Sequence, residues 1–135
     1  MKITLKKEDL ESPLISQIER ISAEDLQKCY QCGNCTGGCP VSFAMEIPPH
    51  QTMRMLQIGR TADVLAANSM WLCVGCMQCF SRCPKGCSVA NVFEALRQLS
   101  LSKGVDAQRI EAMSVEFLKK APQQAIVCGF RKFVG

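Results

Sequence analysis

An all-α fold is expected of this 135-residue chain, and three observations lead to it. Sixteen of the 33 residues between Cys39 and Cys73 are Ala, Met, Leu, Gln, Arg or Glu, all good helix formers. The same stretch holds no Asn-Gly or Asp-Gly turn and no alternating apolar run of the kind that marks a strand pair. Beyond Pro84, apolar residues recur at helical spacing as far as Ala121. Together these predict about five to six short helices.

The elements follow in order. Met1 to Asp9 sets Ile3 and Leu5 against polar neighbours and reads as a short strand or extended arm. Ser12 is the N-cap and Pro13 the first residue of a helix whose apolar face is Leu14, Ile15, Ile18 and Ile21. Ser22 and Asp25 form a weakened capping box for a short helix leading into Cys29. Pro48-Pro49 interrupts the spacer, Gln51 to Gly59 forms a helix through Met53, Leu56 and Ile58, and Thr61 caps Ala62 to Asn68. Ser88 caps a helix with Val89, Val92, Phe93, Leu96 and Leu99 on one face, ending near Gly104. Asp106 caps the next, with Ile110, Met113, Phe117, Leu118 and Ala121 in register before Pro122. The segment from Gln123 to Gly135 is too apolar for a free tail, so it packs back or lies against another protein chain.

Eight of the ten cysteines belong to one motif written twice. Cys29, Cys32, Cys35 and Cys39 precede Pro40, and Cys73, Cys76, Cys79 and Cys83 precede Pro84, each as C-x2-C-x2-C-x3-C-P. This spacing holds [4Fe–4S] cubanes, because three cysteines in one tight loop can each bind a different iron of one cube. The fourth cysteine, held off by its proline, completes the other cluster when two motifs are present. The rule gives cluster one as Cys29, Cys32, Cys35 and Cys83, and cluster two as Cys73, Cys76, Cys79 and Cys39. Structural zinc is the alternative for these cysteines, though it favours separated C-x2-C pairs around one tetrahedral ion. Cys87 and Cys128 read as small buried residues, with a ligand role and a redox or interface thiol as their respective alternatives. His50, the single histidine, reads as a loop residue. Phe43, Met45, Trp71, Val74, Met77 and Phe80 flank the cysteines and are expected to exclude water from them.

Composition limits the partners. The formal charge of +4 counts every cysteine as neutral. Eight thiolates and two oxidised cores together add about −4, which leaves little attraction for nucleic acid or an anionic membrane. The first ten residues are not a signal peptide, and no run approaches the roughly 18 apolar residues of a membrane span. With no export signal, ten cysteines point to a reducing cytoplasm and metal ligation rather than disulfides.

The arrangement resembles the α-helical ferredoxin family and, within it, the C-type subunits of heterodisulfide reductases. The residues that carry the resemblance are Cys29-Tyr-Gln-Cys-Gly-Asn-Cys-Thr-Gly-Gly-Cys-Pro-Val-Ser-Phe43, Arg54 to Arg60, and Trp71-Leu-Cys-Val-Gly-Cys-Met-Gln-Cys-Phe-Ser-Arg-Cys-Pro-Lys-Gly86. It covers about residues 22 to 103. The resemblance implies an electron-transfer component of a hetero-oligomer. It would pass single electrons between an A-type partner, which carries flavin and iron–sulfur centres, and a B-type catalytic partner marked by Cys-Cys-Gly. Such complexes reduce a heterodisulfide or act on other thiol and sulfur compounds. The chain departs from the family at Cys87, where an aliphatic residue is usual, and it contains no adjacent cysteines. No Gly-rich phosphate loop, histidine pair or nucleophile–base set is present, so no catalysis is expected of the chain alone. The alternative is the iron–sulfur component of a membrane-associated succinate, glycolate or glycerol-3-phosphate dehydrogenase. One domain over 1–135 is expected, with an N-terminal arm and helix at 1–21, a cluster core at 22–103, and a C-terminal helix and docking tail at 104–135.

Overall fold

The computed structural model describes residues 7–10, 12–102, 104 and 106–134. Among them there is no strand, and ten α-helical segments occur in chain order. Six of these are longer than one turn: α2 (Pro13–Ser22), α4 (Pro49–Gln57), α5 (Thr61–Ala66), α8 (Val89–Leu101), α9 (Val115–Lys120) and α10 (Gln123–Phe133). The other four are single turns: α1 (Lys7–Leu10), α3 (Asn34–Gly37), α6 (Ser69–Leu72) and α7 (Gln78–Ser81). The all-α expectation holds. The sequence could not show the single turns, because four residues are too few to display a helical period. The arm expected at Met1 to Asp9 ends in α1, and residues 1–6 lie outside those described.

The chain forms two compact units, 1–96 and 97–135. In the first, α2 begins as its sequence predicts, with Ser12 Oγ accepting from Leu14 N at 3.3 Å and Pro13 in the first turn. Its buried stripe is Ile15, Ile18 and Ser22, narrower than the expected face, and Ile21 remains exposed. Ser22 can be buried because its hydroxyl donates to Ile18 O at 2.7 Å and accepts from Glu24 N at 3.3 Å. Asp25 caps the 3-10 turn Leu26–Lys28, which delivers the chain to Cys29. Pro49 opens α4, which buries Met53 and Leu56 and stops at Gly59, whose φ of +81° favours glycine. Thr61 is not the cap expected of it. It is the first residue of α5, and its buried Oγ1 has no hydrogen-bond partner.

The first five residues of α8 include Val89, Ala90, Val92 and Phe93, all buried, with Ala95 and Leu96 buried one turn on. Ser88 caps this helix as expected, its Oγ accepting from Asn91 N at 3.3 Å. Burial of each large apolar side chain here contributes about 1.5–3 kcal/mol, so α8 with Ile18, Leu26, Met53 and Leu56 makes the core of the first unit.

The second unit departs from its sequence pattern. The long helix expected from Asp106 to Ala121 is a 3-10 turn at Ile110–Ala112 followed by α9, which starts only at Ser114. The Ser114 Oγ accepts from Phe117 N at 3.2 Å and so ends the preceding segment by starting a new helix. Ile110, Val115 and Phe117 stay exposed, so no buried face holds one continuous helix together. Pro122 separates α9 from α10, as expected. The apolar tail is mostly helical, and its Phe133 carbonyl accepts from Ala107 N at 2.8 Å.

Candidate metal centre

Both cysteine motifs fold into the same local structure. In each, a residue with left-handed backbone stands before the second cysteine and another just after it: Gln31 (φ +65°) and Gly33 (+80°), then Gly75 (+66°) and Met77 (+61°). After the second of these comes a one-turn helix, α3 in the first motif and α7 in the second. Alternation between the two hands of backbone curls the three cysteines of each motif around a common centre. The loops trade their glycine: one has it at the second left-handed position, the other at the first. Gln31 and Met77 therefore hold a conformation that is costly for a side chain, of order 1–3 kcal/mol.

The two loops meet. Helix α3 packs on α7 and on α4. A Cβ on Gly38 would come within 2.3 Å of the Arg82 side chain, so the bare backbone before Cys39 lets the arginine before Cys83 lie against it. Lys85 Nζ sits 5.9 Å above the Tyr30 ring, a second tie between motifs. The spacer fixes the rest. Glu46 N donates to Asn68 Oδ1 at 3.0 Å, Asn68 N to Glu46 Oε2 at 2.8 Å, and Ile47 N to Ser69 Oγ at 2.9 Å. These three bonds clamp the chain just after Cys39 to the chain just before Cys73. On the other side, Gln57 Nε2 donates to the carbonyls of Leu26 and Cys29, both at 2.8 Å.

Two cavities result. One is lined by Cys29, Cys32, Cys35 and Cys83. The other is lined by Cys73, Cys76, Cys79 and Cys39. Each gathers three cysteines of one motif and the last cysteine of the other. Val89, the first residue of α8, lines both. Burial pushes the Cys35 thiol up to about 11 and also raises that of Cys79. Against that, the backbone N–H groups of Ala90, Phe80 and Val89 favour the Cys79 thiolate. Two of these N–H groups belong to the N-terminal turn of α8, where helix polarity also favours negative charge.

Several side chains are placed differently from their sequence reading. Cys87 is buried, as expected, but it also lines the first cavity. Cys128 is exposed on α10, because no residue of that helix is buried. His50 is in the first turn of α4, not a loop, with Nδ1 2.9 Å from Thr36 Oγ1. Of the residues expected to exclude water, Met45 is buried, whereas Phe43, Val74, Met77 and Phe80 are exposed on or beside the loops. Val74 and Met77 nevertheless line the second cavity, with Met45 and Phe93 beneath them, while Met53 lines the first and Val89 lines both. The sequence reading took Gln31 only as part of the motif and gave it no role, yet its Nε2 donates to Cys29 Sγ at 3.3 Å. Its one signal was Gly75 at the matching place in the second motif, which marks a left-handed position.

Residues 25–87 match the family model described as a 4Fe-4S dicluster domain. The chain is 36% identical over 109 residues to the C-type iron–sulfur subunit of the CoB–CoM heterodisulfide reductase of Methanopyrus kandleri, covering 79% of this chain and 55% of that one. It is 31% identical over 113 residues to the C2 subunit of the H2/formate:CoB–CoM heterodisulfide, ferredoxin reductase of Methanococcus maripaludis, covering 82% and 61%. The C-type subunit of the corresponding H2-linked reductase of Methanothermobacter thermautotrophicus is 25% identical over 134 residues, covering 97% and 72%. The chain thus spans about half the length of the first curated relatives it matches. Among the described residues no helix is long and apolar enough to cross a membrane.

Proposed function

From a chain that is a homologue of the C-type subunits of heterodisulfide reductases and carries the 4Fe-4S dicluster domain at residues 25–87, we infer a two-cluster electron relay. The observation that carries it is the pair of cavities, each lined by three cysteines of one motif and the last cysteine of the other. Cluster one is held by Cys29, Cys32, Cys35 and Cys83, cluster two by Cys73, Cys76, Cys79 and Cys39. The residues fit the group. A zinc ion bonded at about 2.3 Å to four thiolates would draw the sulfurs together and leave no room between them. Among the described residues no three Cys, His, Asp or Glu side chains stand close enough together to hold a single metal ion, whereas each cavity brings together the four cysteines that a cubane takes. Bound cubanes supply reversible one-electron storage.

The protein's own groups do the remaining work. With four cysteines for each cubane, no coordination place is left for substrate, so the chain carries electrons and transforms nothing itself. Met45, Phe93 and Val89 keep water from the inner side of the cavities. Cys32 and Cys76 are exposed, which gives each cluster an edge open to an electron partner. The partners on this reading are an A-type chain with flavin and iron–sulfur centres and a B-type catalytic chain with Cys-Cys-Gly. Together they would form a cytoplasmic complex acting on a heterodisulfide or related sulfur compound. The named relatives are all C-type subunits of heterodisulfide reductases, which favours this reading over a membrane-associated dehydrogenase.

Anaerobically reconstituted protein is expected to hold about eight iron and eight sulfide per chain, with spin-coupled signals on full reduction. A colourless, zinc-containing protein would sink the reading. Gln31 offers a finer test. Its N–H group stabilises the charge on Cys29 Sγ, which grows on reduction, so Gln31→Gly is expected to lower the potential of cluster one by tens of millivolts; a tenfold change in a one-electron equilibrium is about 59 mV. The same change relieves the left-handed strain at φ +65°. The melting temperature should therefore hold or rise while the potential falls, a combination that simple damage to the loop would not produce.

A further inference from the structure

The first cavity is lined by five cysteines, the second by four. The fifth is Cys87, whose side chain is only 3% exposed. Its position follows from the turn after the second motif. Pro84 prevents the chain from continuing the helical turn, and Gly86, at φ +67°, donates from its N–H to Cys83 O at 3.1 Å. The reversal returns Cys87 to the sulfur of Cys83, and the backbone N–H of Cys87 donates to Cys83 Sγ at 3.3 Å. Immediately afterwards Ser88 caps α8, so the position of residue 87 is fixed from both sides.

We propose that Cys87 is a reserve ligand of the first cluster, able to take the coordination place of Cys83. The inference rests on the crossed ligation proposed above and goes beyond it. Ordinary core packing accounts for a buried thiol, but not for one that faces the cavity already lined by four metal-binding cysteines. The second cavity is lined instead by Met45 and Phe93, which have no thiolate to offer. In a chain without the Cys83 thiol, the open iron–sulfur bond forms to Cys87 Sγ. The Cys87 thiol proton passes to solvent, as in any ligation of a thiol, and no electron is transferred. The consequence is an asymmetric pair, with one cluster tolerant of losing its bridging cysteine and the other not.

The test is anaerobic reconstitution of wild type, Cys87→Ala, Cys83→Ala, Cys83→Ser and Cys83→Ala/Cys87→Ala, reading iron and sulfide per chain, EPR spectra and helix content. Wild type and Cys87→Ala should each load both clusters. Cys83→Ala should also load both, with an altered EPR spectrum at the first, and the double variant should keep only the second, halving the iron. The proposal is overturned if neither Cys83→Ala nor Cys83→Ser loads a four-iron cluster at the first site, or if the double variant loads it as fully as Cys83→Ala does. A wild-type chain that forms no cubanes would instead refute the electron-relay reading, so the two failures are distinct.

Discussion

Replacing Cys39 with Ala is expected to abolish the cluster held by the second motif and leave the cluster held by its own. By sequence Cys39 belongs with Cys29, Cys32 and Cys35, yet it lines the cavity of Cys73, Cys76 and Cys79. The clamp between Glu46 and Asn68 and the bond from Ile47 N to Ser69 Oγ hold it there. Among the described residues no fifth cysteine lines that cavity, so nothing replaces the lost thiolate. Iron per chain should fall from about eight to about four, and the spin coupling between reduced clusters should vanish, leaving one uncoupled signal. Because cluster binding contributes directly to folding, the loaded variant should also melt earlier than loaded wild type. Loss of the first cluster instead would mean that each motif ligates locally, and the crossed assignment would be wrong.

The cysteine spacing already groups the residues that the two cavities bring together. C-x2-C-x2-C-x3-C-P predicts which cysteines act together, and the stiffness of Pro40 and Pro84 is the reason to expect the last ones to be exchanged. Caps were legible where one hydroxyl decides the matter, as at Ser12 and Ser88. Periodicity failed where burial did not enforce it. The apolar register from Ile110 to Ala121 reads as one helix, but none of its side chains is buried, and the local cap at Ser114 starts a shorter one. Gln31 escaped for a different reason, and at Cys87 the ligand role stood only as the alternative to a buried residue. Their roles depend on how the chain reverses around the cavities, and residue type alone does not show that a glutamine occupies a glycine-like backbone.

The core and the site share one helix, and Phe93→Ala should expose that dependence. Phe93 is 2% exposed in α8, and truncation of such a ring costs about 3–5 kcal/mol. Against a typical total of about 5–15 kcal/mol, that is a large part of the stability, and the melting temperature should fall by more than about 10 °C. A comparable substitution at Phe117, which is 54% exposed, should change stability by only about 0.5 kcal/mol. The location of the damage is the sharper expectation. Phe93 lines the second cavity and is absent from the first. It also supports the first turn of α8, whose Val89 and Ala90 N–H groups face Cys79. In Phe93→Ala, chelator should therefore strip iron from the second cluster faster than from the first, with loss of spin coupling before loss of the remaining signal. Equal loss from both would mean that α8 merely stabilises the fold as a whole. Selective loss would show that the same packing that holds the helix keeps water from Cys73, Cys76, Cys79 and Cys39.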